Sequence, residues 1–159
     1  MSLIGASDFD GSLGILAGIQ PAVRFAADPA TRVQWTRALN GLGFIEFMDA
    51  KELRGTAPDP DNETRRQFLR GVKKAQARFE QALAVQADPA YRRFVEGNKA
   101  HCLAFLDRVD NPRSLWAALF RAGGRAAYNG QIKDTQFHAV PEDRAVRRLI
   151  DDVWSELSG

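Results

Sequence analysis

A chain of 159 residues that is 45% apolar and 26% charged can bury a substantial core and is too apolar for disorder to be the default. It holds no apolar run near the ~18 residues that span a bilayer, and its one cysteine, Cys102, cannot form an internal disulfide. The net charge of +2 excludes a uniformly basic or acidic protein, yet the charge is segregated.

Residues 1–63 carry 5 Lys/Arg against 9 Asp/Glu, residues 64–133 carry 14 against 5, and residues 134–159 carry 3 against 6. A basic middle therefore lies between two acidic ends. It suits an acidic partner; acidic ends laid over it, within one chain or between two copies of a homo-oligomer, account for the same pattern. The first residues place no basic segment ahead of an apolar one. The sequence therefore predicts no secretory leader and, with a single thiol, a cytoplasmic setting.

In chain order, residues 1–27 read as an irregular packed arm. Gly5, Gly11, Gly14 and Gly18 interrupt an apolar stretch, and each glycine costs ~1 kcal/mol in a helix interior. Asp28-Pro29 then starts a helix, with aspartate as cap and proline in the first turn. That helix is expected to end near Asn40, with Gly41 or Gly43 as its left-handed cap. Phe44, Ile45, Phe47 and Met48 form an apolar cluster too short for periodicity to assign. Residues 55–61 (GTAPDPD) form a loop.

Residues 62–87 give the strongest signal. Phe68, Val72, Ala75, Phe79, Ala82, Leu83 and Gln86 recur at steps of three and four, which predicts an amphipathic helix. Arg66, Arg70, Lys73 and Lys74 fall on its opposite face. Asp88-Pro89 and Asn111-Pro112 start two further helices. The first is expected to bury Tyr91, Phe94, Val95, Cys102, Phe105 and Leu106; the second should end at Gly123-Gly124. Residues 125–140 read as a loop. A last helix from Pro141 buries Val146, Leu149, Ile150, Val153, Trp154 and Leu157. No strand alternation appears, so the expected fold is all-α: one domain, residues 1–159, of five or six helices.

Asp8-Phe9-Asp10-Gly11-Ser12-Leu13 resembles the first motif of the haloacid-dehalogenase-type phosphatases. The resemblance implies Asp8 as nucleophile and Asp10 as acid and base in magnesium-dependent phosphoryl transfer, with Asp151-Asp152 similar to that family's metal-holding acidic pair. Only Leu3-Ile4 precede the motif as strand material, and the other strands of a parallel sheet are missing. His101 reads as a packing residue and His138 as a loop residue. The sequence implies no cofactor and no metal site.

The expected function is thus a non-enzymatic helical binding or assembly module. Its basic surface, from Arg66, Arg70, Lys73, Lys74, Arg92, Arg93, Arg121 and Arg125, would meet an acidic protein or a nucleic-acid backbone. Phe68, Phe94 and Phe120 lie near these cations but on helix faces expected to be buried. Phosphoryl transfer through Asp8 and Asp10 is the alternative.

Overall fold

The computed structural model describes residues 28–85, 89–106 and 110–159. Asp8, Asp10 and the rest of the N-terminal arm lie outside the described residues, as does Gln86. Within them all regular structure is helical: α1 (Pro29–Arg54), α2 (Asn62–Ala84), α3 (Pro89–Phe105), α4 (Asp110–Asp134) and α5 (Asp143–Ser158). None is long and apolar enough to cross a membrane.

The cap of α1 forms at Asp28 as its sequence predicts, and α2 is capped in the same way by Asp61. Asp28 accepts from the Ala30 N–H at 3.0 Å and from the Thr31 hydroxyl at 2.6 Å. Asp61 accepts from the Thr64 N–H at 2.7 Å. These bonds satisfy backbone donors that the first helical turn leaves free.

Helix α1 does not stop at Gly41 or Gly43. Its buried stripe of Trp35, Ala38, Leu39 and Leu42 continues in phase through Phe47 and Ala50, so the short apolar cluster is its second half. Gly43 has a different task from the one expected. A Cβ there would stand 2.7 Å from the Phe79 ring, so the missing side chain lets α2 lie close. Burying Phe79 contributes about 1.5–3 kcal/mol, more than the ~1 kcal/mol cost of the glycine. The cap is Gly55, at φ 66, with its N–H donating to the Lys51 carbonyl.

Helix α2 buries Phe68, Val72, Ala75, Phe79 and Ala82, as expected. It runs antiparallel to α1, with Phe79 against Gly43 and Gly71 against Ala50. Helix α3 buries Val95, Ala100, Cys102 and Phe105, but not Phe94. Helix α4 breaks at Gly124 (φ 62, ψ −150) and then resumes to Asp134. The segment 125–134 is therefore helix rather than loop. It is held because Ala127, Tyr128 and Ile132 lean on the core and Gln131 is buried.

Two turn residues precede α5, which buries Val146, Ile150 and Val153. Leu149 and Trp154, expected deep inside, are only half-buried. Each helix packs mainly against the next in sequence, and α3 also touches α1 and α5. Phe47 and Phe68 meet the Phe105 ring edge-on at 5.4 and 5.5 Å.

Candidate binding surface

The eight expected cations occupy three helices and are not equivalent. On α2, Arg66 pairs with Glu63 one turn back at 2.8 Å, and Lys74 reaches Glu46 of α1 at 3.5 Å. On α3, Arg92 pairs with Glu96 at 3.1 Å. On α4, the Arg125 guanidinium lies 5.5 Å from the Trp154 ring centre. Arg70, Lys73, Arg93 and Arg121 are exposed and make no ion pair among the described residues. Exposed pairs of the first kind contribute little, so Arg66 and Arg92 still present charge to solvent.

Behind Arg125, Trp154 stacks on Tyr128 at 5.0 Å, and the Tyr128 hydroxyl donates to Asp151 at 2.7 Å. That bond to a carboxylate raises the Tyr128 phenol above its ordinary range, helped by partial burial. Asp151 is thus engaged mid-helix, and no group of three or more His, Cys, Asp or Glu able to hold a metal exists among the described residues.

Arg93 stands at a feature the sequence did not reveal. Between α3 and α4 runs a groove of about 540 Å³, lined by Arg93 and Phe94 on one side and by Leu119, Ala126, Ala127, Gly130 and Lys133 on the other. Phe94 is 67% exposed and Phe137, just past α4, is 43% exposed. Two large apolar rings facing water beside an apolar groove are more informative than scattered surface leucines. Gln131 and Asp134 also line the groove.

Those two residues connect the groove to a buried polar cluster. Gln131 accepts from the Trp116 indole at 2.9 Å, and the Trp116 ring meets His101 edge-on at 5.4 Å. Lys51 of α1, 1% exposed, reaches Asp143 of α5 at 3.0 Å, and its ammonium lies 5.6 Å from the Phe47 ring centre. Asp143 also accepts from the Val140 N–H at 2.9 Å. Alongside, Arg54 pairs with Glu142 at 2.8 Å and donates to the Ala57 carbonyl at 2.7 Å. The cluster clamps the start of α5 and the loop after α1 onto the core.

Burial sets the protonation of this region. It lowers His101 to about 3, with Lys51 adding repulsion and the Gln131 side chain opposing, so the imidazole is neutral. It raises Asp134 to about 6 against the pull of Lys51 and Lys133. It also pushes the Cys102 thiol well up, which makes that sulfur a poor nucleophile.

The two titrations oppose each other in stability. Between pH 6.5 and 3 the unfolded chain binds the His101 proton and the folded one does not, so stability falls with falling pH. Between pH 6 and 3.8 the folded chain binds the Asp134 proton first, so stability rises with falling pH. Each slope is about 1.4 kcal/mol per pH unit, and they offset over the shared window. Asp134→Asn is expected to start acid destabilisation near pH 6 instead of near pH 4. Melting temperature followed across that range checks this, and superimposable curves for parent and variant would refute it.

Comparison with family models, with curated proteins and with solved structures finds no match for this chain.

Proposed function

We propose that this chain is a non-enzymatic helical binding module whose partner is an acidic segment of another protein. The observation that carries the reading is Arg93, exposed and unpaired among the described residues, beside the exposed ring of Phe94 on the wall of an apolar groove. Interfaces favour this combination: an arginine and an aromatic that contribute contact area, next to a surface that excludes water. Arg70, Lys73 and Arg121 are also exposed, and their charge would raise the association rate of an acidic partner.

A nucleic-acid backbone is the second reading, favoured by the same unpaired cations. It is the weaker one because the exposed rings lie at the groove and not beside Arg70 and Lys73, where bases would need them.

One titration series separates the two. A fluorescent acidic peptide and a fluorescent oligonucleotide are each titrated at several salt concentrations, with the parent and with Arg70→Gln/Lys73→Gln. The acidic peptide is expected to bind at low salt, and more weakly to the double variant. If only the oligonucleotide binds, the nucleic-acid reading replaces the proposal. On duplex DNA the slope of log K against log salt should then shrink by ~0.9 for each phosphate that the variant no longer neutralises.

A further inference from the structure

The groove has a shape that selects its occupant. Ala126, Ala127 and Gly130 recur at steps of one and three after the break in α4, which puts them on one face, and Gly123, just before the break, lines the groove with them. None extends beyond a methyl group. The trough they leave runs on past Lys133 and Asp134 toward Phe137. From Ala126 to Asp134 the floor is ~12 Å long at 1.5 Å per residue, or about two helical turns. Phe94 rises from the α3 side and Phe137 stands past the end of α4, both exposed. Arg93 and Lys133 supply positive charge on opposite sides.

Resting on the reading that the partner is an acidic protein, we infer that this groove seats an amphipathic helix of the partner, engaged over about two turns. Its apolar stripe lies on Gly123, Ala126, Ala127 and Gly130, with acidic side chains set against Arg93 and Lys133. A small-residue floor lets a second helix come close enough for its own side chains to fill the trough. An amphipathic helix occupies such a groove through apolar anchors on one face, at i, i+3, i+4 and i+7. The two phenylalanines then cover the anchors and lose their exposure. Charge complementarity selects acidic flanks, because the lining holds two cations and one carboxyl, and that carboxyl, Asp134, is itself partly buried between Lys51 and Lys133.

The test uses two labelled peptides of about 18 residues, long enough to hold helical structure. Both contain the same leucines and glutamates; one has leucine at helical spacing and the other has the order scrambled. The protein variant Gly130→Leu fills the trough. A Cβ at Gly130 meets nothing within 4 Å, so the added side chain need not displace the fold, and circular dichroism checks that it does not. The amphipathic peptide is expected to bind the parent more tightly than the scrambled one, and to lose about tenfold or more in affinity for Gly130→Leu and for Phe94→Ala.

Equal binding of the two peptides overturns the groove inference while leaving an acidic partner in place. So does unchanged affinity for a folded Gly130→Leu. If neither peptide binds at low salt, the acidic-partner reading falls as well. If anilinonaphthalene sulfonate occupies the parent's groove and is excluded from Gly130→Leu while neither peptide binds, the site belongs to a small amphiphile, and the inference is overturned.

Discussion

Asp143→Ala is expected to destabilise the fold by about 3–5 kcal/mol, the range for removing one partner of a buried ion pair. The substitution leaves the Lys51 ammonium, 1% exposed, without its ion-pair partner, against the Phe47 and Phe105 rings at 5.6 and 6.0 Å and with only the longer-range pull of Asp134. Those rings compensate in part. It also frees the Val140 N–H that Asp143 accepts. Adding Lys51→Met should recover most of the loss, because an unbranched apolar chain of similar length replaces a charge that has lost its ion-pair partner. Urea denaturation of the parent, the single variant and the double variant at pH 7 reads this directly. A single variant within about 1 kcal/mol of the parent would mean that water reaches Lys51.

The second large effect is expected at Trp116. Its side chain is fully buried, edge-on to His101 at 5.4 Å, and its indole N–H donates to Gln131. Trp116→Ala should cost about 3–5 kcal/mol through the cavity it leaves. Trp116→Phe keeps most of the apolar packing and removes the donor, so it should cost only about 1–3 kcal/mol. Thermal melts followed by circular dichroism measure both. Equal losses for the two would show that the hydrogen bond, and not the ring's volume, holds this position. Gln131 lines the groove on its other side, so its placement depends on Trp116 as well.

Much of the helical architecture is legible in the sequence, because its signals are local. Aspartate caps and the 68–72–75–79–82 stripe need no knowledge of distant residues. The errors arise where a distant partner decides. Gly43 carries the features of a helix stop, and only the Phe79 ring against it explains why the helix continues. Gly124 does break α4, but a single left-handed residue interrupts the helix without ending it, since the following turns still find core to lean on. The small residues at 126, 127 and 130 share one helix face after that break, and small residues carry no apolar signal by which a sequence marks such a face.

Of the candidate site, the charges were legible and the groove was not. Phe94 falls within the apolar stripe of α3 by spacing, yet it is exposed at the wall of the groove, a placement that spacing along one helix does not encode. Lys51 and Arg54 gave a clue that was available. They follow Phe47 at steps of four and three, so two cations share a helix face with core residues. Such a placement calls for buried counterions, and Asp143 and Glu142 are those counterions.

The succession of helices, each against its neighbour in sequence, also bears on how quickly the chain reaches this state. Such a pattern closes short loops first, and chains dominated by local contacts fold fast. The exception of longest span is the clamp between α1 and α5, where Arg54 and Glu142 are 88 positions apart. A pairing of that span forms after the local hairpins have removed most of the entropy of closing it. Removing it therefore accelerates unfolding more than it slows folding, so the clamp governs how long the folded molecule lasts rather than how soon it forms.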